Sequence, residues 1–152
     1  MKQPVAEADD TARALAHRLM GEKHAALAYI DADGPGISRI AFGLDAEGCP
    51  MTLVSGLAAH TAALRQNAAC AVMLGEPAAK GDPLTHPRLM LRVHAEFVAK
   101  EPQRDQWLKG HPKAALYIDF ADFVFIRLHP LSALLNGGFG KAWRLSPEDM
   151  RG

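Results

Sequence analysis

Four polar side chains that lie close together in the sequence are suited to binding a phosphate group. Ser55, His60 and Thr61 occur where an apolar segment passes through a tight turn into a helical pattern. The N-terminus of a helix presents unpaired amides and the positive end of the helix dipole, and these side chains add hydrogen-bond donors. Arg39 lies one hairpin earlier, and its planar guanidinium group matches the geometry of a phosphate. Antiparallel pairing of the two strands would bring these residues together.

Each of these residues also has an ordinary structural interpretation. Ser55 could simply cap the helix that follows it, with His60 on the exposed face of that helix. Arg39 could be solvated or paired with a neighbouring carboxylate, as exposed arginines usually are. The residues alone leave both interpretations open.

The surrounding segments predict strands that alternate with short helices. Residues 11–20 have apolar side chains at three- and four-residue spacing, which predicts an amphipathic helix that Asp9, Asp10 or Thr11 can cap. Further helices are predicted over 58–67, 103–109 and 112–117. The strands are predicted over 25–30, 37–44, 51–55, 69–75 and 88–99, and residues 123–128 and 131–135 complete them.

The longest predicted strand, residues 88–99, has two different faces. Leu89, Leu91 and Val93 share one face with further apolar residues, whereas Arg88, Arg92, His94 and Glu96 share the other. The first face is expected to be core, and the second is where we expect a ligand. Short strands joined mostly by hairpin-length turns favour a small antiparallel barrel, which we expect to have six strands, with helices packed outside it.

Length and composition are typical of one globular domain, which we predict to span residues 1–152. Seventeen basic residues balance seventeen acidic ones, which argues against binding nucleic acid or a membrane surface through bulk charge. No apolar run is long enough to cross a membrane, and residues 1–10 have no secretory h-region, so we expect a cytoplasmic protein.

Cysteine and histidine patterns add no further site. The two cysteines are too few for a disulfide framework, and Cys70 within its apolar segment is interpreted as a small buried hydrophobic residue. The seven histidines form no recognised metal-binding motif, so we predict no metal site.

Four motifs in the same order resemble the FMN-binding split-barrel family related to pyridoxamine 5'-phosphate oxidase, in its bacterial branch associated with haem utilisation. The resemblance covers residues 12–145, and it implies a mainly β fold with flanking helices, a six-stranded antiparallel split β-barrel. The motifs are Ile37-Ser38-Arg39, residues 53–64 (LVSGLAAHTAAL), Gly81-Asp82-Pro83-Leu84 leading to Pro87-Arg88-Leu89, and Gly137-Gly138-Phe139-Gly140-Lys141-Ala142.

The resemblance implies particular roles in binding FMN. Arg39 would hold the phosphate together with Ser55, His60 and Thr61. The backbone at Ile40 and Val54 would lie along the flavin, Arg88 would contact the ring or the ribityl chain, and Lys141 is a further candidate. The glycines around Lys141 could instead serve only a turn. Family members often have Asn where this sequence has Ala63, so one side-chain contact is missing.

The implied activity is that of an FMN-dependent oxidoreductase whose substrate the sequence does not identify. Flavin supplies the redox chemistry, and the sequence shows no acid–base pair or nucleophile triad near the site. The alternatives are a haem-binding or haem-degrading protein of the same fold and a non-catalytic flavin-binding module. His94, His111 and His129 are candidate haem ligands without a supporting motif.

We also expect a homodimer with the cofactor site at the subunit interface, because related split barrels dimerise around their flavin. In residues 123–128, Phe123 and Phe125 lie opposite the expected core face. Two aromatic residues on an outer face indicate either a partner or covering helices. The helices near Trp107 and Tyr117 could cover them within one chain.

Overall fold

A computed structural model describes residues 5–151, so residues 1–4 and 152 of the predicted domain lie outside it. Within these described residues there are four α-helices: α1 (Asp10–Leu19), α2 (Ala59–Gln66), α3 (Glu101–Gly110) and α4 (Pro147–Met150). Two 3-10 helices cover Pro83–Thr85 and Pro112–Leu116. The strands are β1 (Ala6–Glu7), β2 (His24–Asp31), β3 (Gly34–Ala41), β4 (Gly43–Leu44), β5 (Pro50–Ser55), β6 (Ala69–Leu74), β7 (Arg88–Val98), β8 (Phe123–Asn136) and β9 (Ala142–Leu145).

The strands form one sheet in the order β1-β9-β8-β7-β6-β2-β3, with β5 paired to both β8 and β4. The mainly β architecture with a few helices agrees with the prediction, but the six-stranded barrel does not describe it fully. The described residues contain nine strands, the sheet does not close, and β1 pairs with β9 in parallel. The additional strands β1, β4 and β9 are two to four residues long, too short for an alternating pattern to reveal.

The alternation along β7 fixes which face of the sheet is buried. Leu89, Leu91 and Val93 are at most 1% exposed, whereas Arg92 and His94 are exposed. This agrees with the two faces predicted from the sequence. The buried face contributes to a core with residues of β2, β3, β6, β8 and helix α1.

The two strand segments predicted over 123–128 and 131–135 form the single strand β8. The register with β7 shifts where Arg92 pairs with Ser132 and Val93 pairs with Pro130, so Leu131 is an extra residue in β8. Proline has no amide hydrogen to donate and is tolerated in a sheet at such bulges. The apparent break in the sequence is therefore a bulge.

Helix α1 begins as its sequence predicts. The Asp9 carboxylate accepts a hydrogen bond from the Ala12 amide at 2.8 Å, which caps the helix. Ala12, Ala16 and Leu19 are buried on the face that packs against the main core.

A second, smaller core lies on the other side of the sheet. Phe125 is completely buried there and packs edge-on against Trp107 of α3, with ring centroids 5.4 Å apart. Phe123 is half-buried against Tyr117. Of the two alternatives, a partner or covering helices, the structure shows the second, because α3 and the segment around Tyr117 pack against these phenylalanines within one chain.

The sheet is split between β3 and β5. These neighbouring strands have no backbone pairing among the described residues, and β5 pairs instead with β8. The direct pairing of the two strands that we expected is present only as the short pair of β4 with β5. The Thr52 hydroxyl donates a 2.6 Å hydrogen bond to the Ala41 carbonyl oxygen and bridges the split.

We predict that Thr52→Val lowers the free energy of unfolding by about 1–3 kcal/mol. Thr52 is completely buried, so the variant leaves the Ala41 carbonyl without its hydroxyl donor at nearly unchanged side-chain volume. Urea unfolding measures the change. Thr11→Val, at an exposed position, is the control, and equal stability of the two variants would contradict a role for the bridge.

Candidate functional site

The turn between β5 and α2 uses much of its own hydrogen-bonding capacity. Thr61 is completely buried, and its hydroxyl donates to the Ser55 carbonyl oxygen at 2.6 Å. The Ser55 hydroxyl oxygen accepts from the Leu57 amide at 3.1 Å. Both side chains therefore hold the shape of the turn.

The N-terminus of α2 has no side-chain cap. The N-cap residue is Ala58, whose side chain cannot accept a hydrogen bond, so the interpretation of Ser55 as the helix cap is wrong. The first amides of a helix have no intrahelical partner. Those of Ala59 and His60 can therefore donate to an anion.

Arg39 and Ser55 lie on the same face of the sheet. Along β3, Ala41 packs against the smaller core whereas Ile40 belongs to the main core, so Arg39 points to the side of the smaller core. Along β5, Leu53 belongs to the smaller core, and Ser55 shares its orientation. Arg39 is exposed and has no ion-pair partner among residues 5–151.

The register of β4 with β5 indicates how these two residues align along the split. In the β4–β5 pair, Gly43 lies opposite Met51 and Leu44 opposite Pro50. Extending this register along the split places Arg39 across from Ser55. The backbone pairing that was expected to bring the two residues together is absent there among the described residues, and their proximity stays a prediction.

His60 points to the other side of β3. Its Nδ1 atom lies 3.0 Å from the Ser38 hydroxyl oxygen, and Ser38 alternates with Arg39 along the strand. The Nε2 atom is buried and has no partner in the structure. Burial lowers the pKa of His60, since the charged form loses solvation. His60 is therefore separated from the side chain of Arg39.

Arg88 and Lys141 lie away from the split. Arg88 is half-buried, and its guanidinium donates to the carbonyl oxygens of Leu84 and His86 at 3.1 and 3.3 Å, which holds the preceding loop. Two strands, β2 and β6, separate β3 from β7, so the backbones of Arg39 and Arg88 lie roughly 14 Å or more apart. Lys141 is exposed after a turn in which its amide donates to the Gly138 carbonyl oxygen.

The remaining predicted positions are buried. Ile40 and Val54 are both 4% exposed, with their side chains in the main core, so only their backbone groups are available to a ligand at the split. Ala63, where the family often has Asn, is also buried.

The cysteines and the cavities of the described residues indicate no competing chemistry at the split. Burial raises the pKa of both Cys49 and Cys70 to about 11, so neither is a ready thiolate nucleophile. Three cavities of about 340, 360 and 570 Å³ are lined by residues other than Arg39, Ser55 and Arg88. The candidate site is thus an open face, and a ligand there needs a second wall.

An exposed apolar sheet face continues from Arg39, and the sequence analysis did not identify it. Arg39 pairs with Ala26, Ala26 with Met73, and Met73 with Met90, so these side chains share one side of the sheet. Ile37 is 78% exposed, Met73 46% and Leu134 41%. We call this surface the outer sheet face; it consists of Ala26, Ala28, Ile37, Ala71, Met73, Met90 and Leu134, with Arg39 and Arg92 among them.

The sequence analysis also did not identify Asp122. It precedes β8, and its carboxylate Oδ2 accepts from the Ser55 hydroxyl at 3.3 Å. The Gly56 amide also donates to the Asp122 carbonyl oxygen. No motif marks Asp122, because its position depends on the pairing of β5 with β8.

Comparison with known proteins finds relatives in sequence. No protein-family profile matches the chain. The chloroplastic heme oxygenase HOZ of Arabidopsis thaliana is 36% identical over 101 residues, which is 63% of this chain and 30% of that protein. The chain thus spans less than a third of this curated relative.

Solved structures show the same architecture. One is 42% identical, covers 96% of this chain and 99% of its own length, and superposes with a TM-score of 0.88. A heme binding protein from Mycobacterium smegmatis is 26% identical over 94% of this chain and 61% of its own, with a TM-score of 0.83. A Clostridium acetobutylicum protein of the pyridoxinephosphate oxidase family shares the fold at 13% identity, with a TM-score of 0.71 over 94% of this chain and 99% of that chain.

The chain has the fold of the split-barrel proteins related to pyridoxamine 5'-phosphate oxidase, and its sequence is similar to proteins named for haem. The split between β3 and β5 and the outer sheet face are therefore this chain's version of a split barrel. None of the helices described over residues 5–151 is long and apolar enough to span a membrane.

We predict that His60 makes the stability of this split barrel depend on pH. Its lowered pKa keeps the folded form neutral, whereas the unfolded chain takes up a proton below about pH 6.5. The free energy of unfolding should therefore fall as the pH is lowered below that value.

Urea unfolding at about pH 7.5 and about pH 5.5 tests this, with His60→Asn expected to lose less stability on acidification than the parent. The control is His17→Asn, at an exposed position of α1. Identical pH dependence in the parent and His60→Asn would contradict the assignment.

Proposed function

We propose that this chain is an FMN-binding oxidoreductase whose phosphate site lies at the split between β3 and β5. The observation that carries the proposal is Arg39, an exposed guanidinium without an ion-pair partner among the described residues, on the β3 edge of the split, on the same sheet face as Ser55 at the end of β5. The unpaired amides at the start of α2 follow directly after Ser55 in the chain.

The residues present fit FMN better at its phosphate than at its ring. Arg39 offers a bidentate contact, and the α2 amides add two donors. Thr61 and Ser55 contribute by shaping the turn, since their hydroxyl groups are used within it. FMN supplies hydride and single-electron transfer when bound, and the chain's role is to hold and orient it.

The second wall of the site is supplied, in this proposal, by a second copy of the chain. The outer sheet face leaves Ile37, Met73 and Leu134 exposed, and contiguous apolar surface of this kind is typical of an interface. A two-fold axis on this face would give both sites the same residues. Arg88 and Lys141, which lie away from the split of their own chain, could then act at the partner's split.

Haem is the second candidate ligand, and the sequence relatives favour it. HOZ and the Mycobacterium smegmatis protein are named for haem. Arginines beside an apolar sheet face also suit a planar macrocycle with carboxylates. Of the histidines considered as haem ligands, His111 stacks on Trp107 at 4.0 Å, and His94 pairs across the strands with His129, whose Nε2 lies 3.0 Å from Glu96.

Arg39→Ala is expected to weaken FMN binding by roughly 2–5 kcal/mol, the range for truncating one member of a desolvated charge pair. Riboflavin, which has no phosphate, should bind the parent and the variant alike. Arg39→Lys should recover only part of the loss, because the bidentate geometry is absent. Flavin fluorescence quenching measures the affinities of the parent, Arg39→Ala and Arg39→Lys for these flavins.

Arg18→Ala removes an exposed arginine of α1 and is the matched control for that loss of charge. Equal affinity of the parent for FMN and riboflavin would show that no phosphate site exists. Unchanged FMN binding by Arg39→Ala would show that this strand face does not hold the phosphate.

Met73→Glu is expected to separate the dimer, because each interface would then bury two carboxylates in an apolar face. Sedimentation equilibrium should give twice 16.4 kDa for the parent and 16.4 kDa for the variant, with weaker FMN binding by the variant. Leu116→Glu, at an exposed apolar position outside this face, should remain dimeric. A monomeric parent that binds FMN tightly would contradict the interface site.

A further inference from the structure

A cavity of about 360 Å³ lies between the residues that follow α1, strand β4 and the C-terminal half of α3. Trp107 and His111 line it, and each has a buried nitrogen without a hydrogen-bond partner among residues 5–151, Nε1 of Trp107 and Nδ1 of His111. Trp107 as a whole is only 4% exposed. A buried polar atom is costly unless it forms a hydrogen bond, so these two nitrogens point to a bound group in the cavity.

The rings of Trp107 and His111 are held in place by their neighbours. They stack in parallel with their centroids 4.0 Å apart, and Phe125 packs edge-on against Trp107 at 5.4 Å. Strand β4 approaches both rings at Gly43, where a Cβ atom would lie 2.8 Å from Cζ3 of Trp107 and 3.1 Å from Cε1 of His111. Packing on several sides therefore sets the positions of both nitrogens before a ligand binds.

The two nitrogens differ in hydrogen-bonding character. Indole Nε1 of Trp107 carries a hydrogen and can only donate. Nε2 of His111 lies 3.2 Å from the Lys23 carbonyl oxygen, which can only accept, so Nε2 carries the hydrogen in that bond. In the neutral ring Nδ1 is then an acceptor. The cavity therefore offers one donor and one acceptor, on two rings that lie against each other.

This pair selects the chemical group that can bind. A carboxylate only accepts, so it would leave Nδ1 of His111 facing a second acceptor, and an ammonium group only donates, so it would leave the indole unpaired. Lys23 and Lys109 are exposed, where water and salt screen their charges, so they do not offset the mismatch with a carboxylate. A hydroxyl has both functions on a single oxygen, whereas an amide carries its acceptor and its donor on two neighbouring atoms.

We infer that this cavity binds a small molecule through an amide group, whose carbonyl oxygen accepts from Nε1 of Trp107 and whose N–H donates to Nδ1 of His111. Met20 and Leu44 also line the cavity and suit an apolar body beside the amide. Arg39 and Ser55 do not line it, so this is a second site, and the inference does not depend on the proposed FMN function.

The test uses benzamide as the probe, compared with acetophenone and benzoate, which both lack the N–H donor. NMR of the isotope-labelled full chain follows the indole N–H signals of Trp107 and Trp143, which the variants Trp107→Phe and Trp143→Phe assign. Benzamide should shift the Trp107 signal and leave the Trp143 signal unchanged. Acetophenone and benzoate should bind about 5-fold more weakly than benzamide or worse, because Nδ1 of His111 stays unpaired.

Trp107→Phe keeps an aromatic ring in the smaller core but removes the donor, and it should weaken benzamide binding about 5- to 10-fold. His111→Phe keeps a ring for stacking but removes the acceptor, and it should weaken benzamide binding to the same extent. Acetophenone, which does not use that acceptor, should bind His111→Phe and the parent alike. Trp143→Phe lies outside the cavity, and as the matched control it should bind benzamide like the parent.

If one of the two cavity variants does not fold, as judged by circular dichroism, the other variant and the signals of the parent still decide. A parent whose Trp107 signal does not respond to benzamide would show that the cavity holds water only, and this would overturn the inference. Equal affinity for the three probes, or unchanged benzamide binding by Trp107→Phe, would overturn it as well. FMN binding at the split is measured separately and would be unaffected by any of these results.

Discussion

Strand β8 pairs with other strands along both of its edges and packs against a core on each of its faces. The remaining structure depends on this strand. One edge pairs with β7 over nearly its whole length, and the other pairs with β5 near its start and β9 near its end. Ile126 and Leu128 face the main core, while Phe125 faces the smaller one. Because β8 takes β5 as its partner, β3 is left without one on that side, and the split results.

The split explains why the candidate ligand residues belong to separate segments of the chain. Pairing with β8 places Ser55 beside Phe123 and so fixes Asp122 next to the turn. The same pairing leaves Arg39 on the opposite edge of the split. Arg39 does not line any of the three cavities found among the described residues. A charged, open edge beside an exposed apolar sheet face is typical of an interface, and this is the basis for the second copy proposed above.

Local signals in the sequence were sufficient for the elements and for part of the site. The alternation along β7 and the cap of α1 depend on neighbouring residues alone; the first was predicted correctly, and Asp9 was one of the three caps that the sequence offered. The hydrogen bond of Thr61 was not predicted. Its hydroxyl donates to the Ser55 carbonyl oxygen, which only the folded turn brings near. The burial of Phe125 and the position of Asp122 depend on contacts between segments distant in sequence, which no local pattern encodes.

Direct competition between FMN and haem shows which of the two candidate cofactors this split barrel prefers. The protein is mixed with equal amounts of FMN and haem, passed through a gel-filtration column, and examined by visible absorption spectroscopy. We expect a yellow protein fraction that contains one flavin per chain and retains no haem. A protein fraction with the strong near-ultraviolet haem band and no flavin absorption would contradict it.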